Sequence, residues 1–269
     1  MEQFGDRHFR KFSELICASF GITMGEAKKE ILRTKLDRLV SRYELQSYDE
    51  YYKRLVEREN KELFIEFANA ITVNMTSFFR ENNHFEYIKN NMAGLLKGNP
   101  RITDRNEIRV WSSACSTGEE PYTLSMVLKE HLPGGIRIKV LATDINSDVL
   151  ASAQKGLYPS SVKNDVGGEY LRRYFEMYDG GYRISGELRR LVTFRHFNLM
   201  DRFPFRDSFD MIFCRNVMIY FDTVVRQKLL DKLYDSLAPG GLLFIGHSES
   251  ISPHSHRFKY LQPTVYKKD

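Results

Sequence analysis

Ile108-Arg109-Val110-Trp111-Ser112-Ser113-Ala114-Cys115-Ser116-Thr117-Gly118-Glu119-Glu120-Pro121-Tyr122 is the stretch on which the reading of the fold turns. A short apolar run, Ile108–Ser112, ends in small polar residues and passes into a helical stretch, Glu120–Glu130, through a turn with one glycine. The same alternation recurs downstream. Ile136–Thr143, Val192–Phe197, Asp210–Phe213 and Leu242–Gly246 read as further strands, with helices over Ser147–Ala153 and Thr223–Leu237. Short apolar runs alternating with helices are the pattern of a mostly parallel sheet with crossover helices, so the class is α/β, doubly wound. Pro239-Gly240-Gly241 reads as a break before the last buried strand, and Thr264–Tyr266 as an antiparallel edge strand. One stretch departs from the alternation. Within Gly156–Arg190, Asp179-Gly180-Gly181 lies between two strand-like segments and predicts a hairpin, hence a small β insertion at about 157–190.

Upstream the chain changes character. Residues 1–70 contain no proline and keep helical periodicity. Thr23-x-x-Glu26 has the form of a capping box, and Leu32, Leu36, Leu39, Val40 and Tyr43 follow on one helical stripe. Further helices are expected at Phe9–Ser19, Ser47–Glu57 and about Glu62–Ala70. The expected organisation is an all-α N-terminal domain over 1–80 and the sheet domain over 81–269.

Composition narrows the class. The chain has 269 residues, 42% of them hydrophobic, enough for a substantial core. No apolar run is long enough to span a membrane, and the first 20 residues mix both charge signs, so a soluble, cytoplasmic protein is expected. Cys17, Cys115 and Cys214 are scattered and form no CxxC pair, which disfavours a disulfide framework or cysteine-zinc site. No metal site is read from the seven histidines: His254-Ser255-His256 is a short loop motif, and His247, beside Ser248 and Glu249, reads as a loop-shaping residue.

In open α/β sheets ligands bind beyond the carboxyl ends of the strands. The turn after the first strand lacks the GxGxxG pattern that lets a backbone approach a pyrophosphate. It carries Glu119 and Glu120, which repel phosphate and suit an ammonium group, although acids also complement the start of a helix dipole. Asp144 ends the second strand, where a carboxylate can hold a ribose diol or cap the next helix. Asn198-Leu199 and Arg215-Asn216 end the third and fourth, so every strand end offers polar groups to one rim.

Asn74-Met75-Thr76-Ser77-Phe78-Phe79-Arg80, the run Trp111–Tyr122, Ala142–Asn146, Phe213–Asp222 and Leu243–Glu249 closely resemble the CheR-type chemotaxis receptor methyltransferases. The resemblance spans essentially the whole chain. It implies an S-adenosylmethionine-binding doubly wound domain with an inserted β subdomain, preceded by an all-α domain. It also implies methyl esterification of glutamate side chains on the cytoplasmic helical domain of chemoreceptors, releasing S-adenosylhomocysteine. Carried over by position, the family's cofactor contacts fall on Asn74, Thr76, Arg80, Glu120, Asp144, Asn198, Leu199, Arg215 and Asn216. Glu120 is taken over Glu119 as the second acid of the pair. S-Adenosylmethionine has an amino group, a ribose diol and no phosphate, which suits the acidic, glycine-poor turn.

A glutamate acceptor is ionised at neutral pH and needs no general base, so catalysis is expected to rest on positioning. Arg80 could hold a carboxylate with its planar fork or form an interdomain ion pair; Tyr220 could donate or stack at the same rim or pack in the core. Residues 27–43 carry six cations against two acids. Lys28, Lys35, Arg38 and Arg42 share a flank of that helix, which is either a solvated face or a docking surface for an acidic receptor helix. Nucleic acid is disfavoured as partner, since a net charge of +5 is weak for it and no aromatic-interleaved basic motif occurs. A non-catalytic receptor adaptor is a rival that the filled motif positions oppose. An amide or nucleic-acid N-methyltransferase is opposed by Arg215-Asn216-Val217-Met218, where such enzymes place an Asn/Asp-Pro-Pro-Tyr/Phe clamp. The compact stretch Phe175–Tyr182 predicts independence from a receptor C-terminal pentapeptide, because a tight turn leaves little edge for an added strand.

Overall fold

Five parallel strands carry the fold in the computed structural model, which describes residues 3–57, 61–251 and 256–269. The strands are β1 (Glu107–Ser113), β2 (Arg137–Asp144), β3 (Leu157–Tyr158), β4 (Phe175–Tyr178), β5 (Gly181–Ile184), β6 (Val192–His196), β7 (Phe209–Cys214), β8 (Leu237–Ile245), β9 (Lys259–Gln262) and β10 (Val265–Lys267). The large sheet runs β6-β2-β1-β7-β8-β10-β9, parallel from β6 to β8, with β10 and β9 antiparallel. Chain order reverses at β1, whose neighbours are β2 and β7. That reversal opens the crevice a doubly wound sheet offers to a ligand. The helices are α1 (Asp6–Phe20), α2 (Lys29–Arg42), α3 (Tyr48–Glu57), α4 (Lys61–Ile71), α5 (Asn83–Gly98), α6 (Arg101–Arg105), α7 (Glu119–His131), α8 (Ser147–Lys155), α9 (Gly168–Tyr174), α10 (Gly186–Arg189) and α11 (Thr223–Ser236).

The central strand β7 is buried at every position, as a parallel strand covered on both faces must be. One side of the sheet packs Val110, Phe213 and Phe244 against α5 and α7; the other packs Trp111, Ile212 and Leu243 among Phe203, Phe205 and Leu233. Helices α1 to α4 form a separate core around Phe12, Ile16, Leu36, Tyr51 and Phe67, built from the apolar stripe read in the sequence. In the insertion, β3-β5-β4 form a three-stranded antiparallel sheet. Its Asp179-Gly180 turn has φ of 45° and 73°, the left-handed pair a two-residue hairpin requires.

Three local expectations are corrected. The Thr23-x-x-Glu26 box does not form: α2 starts at Lys29 after a single 3-10 turn, with no side-chain cap at either start. Thr23 N–H instead donates to Tyr220 O (2.8 Å) and Ile22 bridges Phe221, so a tertiary contact displaces a cap worth about 1 kcal/mol. Pro239-Gly240-Gly241 does not precede the strand; it lies inside β8 as an irregularity, with Phe209 opposite Leu237 and Met211 already opposite Leu242. Gly240, at φ 79°, lies so near Gly98 O that a Cβ would come within 2.2 Å. Finally, β10 is not the edge, because β9 covers its other side. The short, largely exposed β9 gives no apolar alternation to read.

Candidate active site

Beyond the carboxyl ends of β1, β2 and β7 lies a cavity of about 210 Å³. Every position assigned to the cofactor by resemblance lines it: Asn74, Thr76, Arg80, Glu120, Asp144, Asn198, Leu199, Arg215 and Asn216, and Tyr220 joins them. Glu119 does not, since its carboxylate turns to Thr117 Oγ1 (2.7 Å), which separates the two acids of the turn.

Asp144 is buried and accepts one backbone N–H at each oxygen, Ser116 N at Oδ2 and Asn146 N at Oδ1, both 2.9 Å. It does not cap α8; Asn146 does, accepting from Asp148 N and Val149 N. Burial raises its pKa against the pull of those N–H donors. Glu120 accepts from Ser112 Oγ (2.6 Å) and Arg215 Nη1 (2.9 Å), and burial raises it too, opposed by the Arg215 charge. The turn itself is unusual. Ala114 and Ser116 have φ of 58° and 50°, the strained region for residues with a Cβ, which the surrounding contacts must hold in place. Ser116 N–H, a donor that a phosphate could use in such a turn, is committed to Asp144.

Arg215 is buried with two carboxylates around it, Glu120 on one side and Glu81 on the other (Nη2 to Oε2, 3.0 Å), and it also donates to Arg80 O. Glu81 is a hub that sequence reasoning missed. It accepts from Arg215, from Asn216 Nδ2 (3.1 Å) and from His247 N (3.2 Å). Burial works against its ionisation, but the Asn216 amide, the Arg215 charge and the His247 N–H hold its carboxyl down at about 2. Glu249 is a second hub, accepting the backbone N–H of Asn216 (3.0 Å), Met218 (2.7 Å) and Gly246 (2.6 Å). The only sequence signal for either was adjacency, Glu81 after Arg80 and Glu249 closing the run Leu243–Glu249.

Other positions contribute differently. The Asn198 side chain faces away, donating to Ser19 O (2.8 Å) and accepting from Met200 N (2.9 Å), so only its backbone is free to act toward the cavity. Leu199 is buried there. Asn74 O accepts from Ser116 Oγ (2.9 Å), and Thr76 lies on the same loop, half-buried. Arg80 reaches back to Met75 O (2.7 Å). Tyr220 carries Lys28 Nζ 5.5 Å from its ring centroid. The proposed docking residues divide. Lys28 and Lys35 line the cavity, Lys35 donating to Ile71 O (3.3 Å) with its pKa lowered by burial and by Lys28. Arg38 and Arg42 lie outside it, exposed, Arg42 paired with Glu66 at 3.4 Å. His254 lies outside the described residues.

A doubly wound sheet with an acidic, glycine-poor rim is the build of an S-adenosylmethionine-dependent methyltransferase. The family described as "CheR methyltransferase, SAM binding domain" matches residues 74–267, and "CheR methyltransferase, all-alpha domain" matches residues 7–72. A chemotaxis protein methyltransferase of Borreliella burgdorferi is 37% identical over 95% of this chain and 92% of its own length. One of Escherichia coli is 38% identical over 97% and 90%. The chain belongs to the CheR family of chemotaxis protein methyltransferases, and S-adenosylmethionine is its cofactor.

Proposed function

We propose that the chain transfers the methyl group of S-adenosylmethionine to glutamate side chains on the helical cytoplasmic domain of chemoreceptors, acting in the cytoplasm. The observation that carries this reading is the charge on the cavity lining: Asp144 and Glu120 deep at the strand ends, Glu120 paired with the buried Arg215, and three further cations, the exposed Lys28 and the half-buried Lys35 and Arg80. The buried acids suit an ammonium and a diol, whereas the cations suit an anionic acceptor. When bound, the cofactor supplies an electrophilic methyl on a sulfonium.

In this reading Asp144 holds the ribose, Glu120 the amino group, and Arg215, fixed between Glu81 and Glu120, takes part in holding the cofactor's polar end with Asn216. Asn74, Thr76, the Asn198 backbone and Leu199 complete the enclosure. Arg80 and Tyr220 position the acceptor carboxylate. No proton has to be removed, so the protein's contribution is alignment, where effective molarity can supply roughly 7–11 kcal/mol.

Around the mouth, Ile31, Val73 and Met75 are exposed apolar residues, Met75 at 82%. Together with Lys28, Lys35, Arg38 and Arg42 they form an apolar and basic margin suited to an acidic amphipathic helix. The hairpin β4–β5 closes through two turn residues, and we read recognition as independent of a receptor C-terminal pentapeptide.

The test is incubation of a receptor cytoplasmic fragment with S-adenosylmethionine, followed by peptide mass spectrometry and mild alkali. Methyl groups on glutamate that leave as methanol are expected. Alkali-stable methylation, or none on glutamate, would reject the reading.

A further inference from the structure

Glu81, His84 and His247 meet behind Arg215 and Asn216, the two lining residues that Glu81 holds. One ring nitrogen of each histidine and a carboxylate oxygen of Glu81 lie within 4.8 Å of one another. No sequence spacing announces this, because His247 reaches the other two only through the fold.

The hydrogen bonds fix which nitrogens are available. Thr264 Oγ1 lies 2.6 Å from both Pro263 O and His84 Nε2; a carbonyl only accepts, and with the hydroxyl proton on it Oγ1 accepts from His84 Nε2, which then carries the proton. His84 Nδ1 therefore presents a lone pair. It is fully buried without a hydrogen-bond partner, 3.8 Å from Glu81 Oε2, which is also an acceptor. Two facing lone pairs with no proton between them leave a gap suited to a cation. His247 Nε2 donates to Asn83 Oδ1 (2.7 Å), which leaves its Nδ1 free to ligate as well. Each imidazole thus donates its single N–H, at Nε2, to an oxygen, the arrangement that orients histidine ligands.

We infer that Glu81, His84 and His247 form a binding site for a divalent transition metal of the zinc type, and that filling it weakens cofactor binding. Two imidazoles and a carboxylate are a donor set that zinc accepts, with bonds of about 2.0–2.2 Å, so the three atoms must draw together. His247 is exposed and supplies the open side. The coupling follows from Glu81, whose carboxylate also holds Arg215 and Asn216. A metal on that carboxylate competes with the guanidinium for it. This second part rests on the proposal that Arg215 and Asn216 hold the cofactor.

Chelator-treated full chain is titrated with Zn2+ alone by calorimetry and by competition with a chromogenic chelator. One equivalent is expected, with affinity falling about tenfold or more in His247→Ala and in His84→Gln and unchanged in His254→Ala. Because His84 is buried, the exposed His247 variant decides the case if His84→Gln does not fold. A parent that binds no zinc, a His247→Ala variant that binds it like the parent, or loss of binding in His254→Ala overturns the site. S-Adenosylmethionine affinity, measured with and without zinc, is expected to fall several-fold with it in the parent and not in His247→Ala. Asn216→Ala without zinc tests the underlying reading separately. If it binds S-adenosylmethionine like the parent, that reading fails; if it binds weakly while zinc leaves the parent's affinity unchanged, the coupling fails.

Discussion

Asp144 shows how one side chain answers to both stability and binding. Its folded-state pKa is raised above the ordinary 3.8, so the folded protein takes up this proton at higher pH than the unfolded chain does. Its ionisation therefore detracts from stability above the folded value, and the penalty disappears as pH falls through it. Binding runs the other way, because the ionised carboxylate is the better acceptor for a diol. Calorimetry should give S-adenosylmethionine affinity that declines on acidification from above pH 3.8, and Asp144→Asn should be weaker at pH 7 by about 1–3 kcal/mol with a flatter profile. Arg80 and Tyr220 belong to the same scale. Arg80→Ala and Tyr220→Phe should lower methyl transfer at saturating receptor while leaving stability within about 1–2 kcal/mol, checked by denaturant unfolding. Full turnover in either variant would remove that residue from the positioning of the acceptor.

Among the elements, α2 and the β4–β5 hairpin are the two on which the proposed receptor recognition is tested. Along α2 and the 3-10 turn before it the flank is not uniform: Lys28, in the turn, and Lys35 line the cavity, while Arg38 and Arg42 face solvent. Reversing Arg38 and Arg42 to Glu should raise the receptor KM and leave S-adenosylmethionine affinity unchanged, and the parent's receptor KM should itself rise with salt as charges are screened over about 8 Å. For the hairpin, a receptor C-terminal pentapeptide should show no measurable binding by fluorescence anisotropy; saturable binding would reverse the assignment. The elements were also where the sequence was most legible. Strand β7 and the stripe of α2 have one-sided or complete burial, which periodicity reports directly. The cap at Thr23 and the break at Pro239 failed because each is decided by a partner distant in sequence, Tyr220 and Gly98, and the edge at β10 failed because its near neighbour β9 is mostly exposed and shows no apolar alternation. For the site, strand-end logic reached Glu120, Asp144, Asn198 and Arg215. It could not reach Glu81, whose importance lies in the φ of 56° at its backbone and in three donors from other segments.

At the scale of the whole molecule, the helical bundle is fastened to the sheet domain on both sides of the cavity. Asn69 exchanges hydrogen bonds with Ser147 (Nδ2 to Oγ and Oδ1 from N, both 2.9 Å) on the β2 side. On the other side Thr23 is bonded to Tyr220, and Asn198 to Ser19. Phe20, Ile22, Leu32 and Ile71 of the bundle line the cavity together with the strand ends. Cofactor should therefore stabilise both parts at once: at a concentration of about 100 times Kd, about 2.7 kcal/mol is expected, and hydrogen exchange should slow in α1 and α4 as well as at β1 and β7. Protection confined to the sheet domain would mean that the bundle is a bystander to binding.

The same arrangement sets a schedule for synthesis. The roof of the cavity is made before its floor: Ser19 leaves the ribosome 179 residues ahead of the Asn198 that will bond to it. At about 5–20 residues per second that is a wait of roughly 10–35 s, during which the side of the bundle meant for the cavity has no sheet to meet. The cavity-facing sides of Phe20, Ile22 and Ile71, whose other sides pack in the bundle, then meet water on a nascent chain, and this interval leaves the polypeptide open to chaperone capture or to misassembly with a neighbour on the same message.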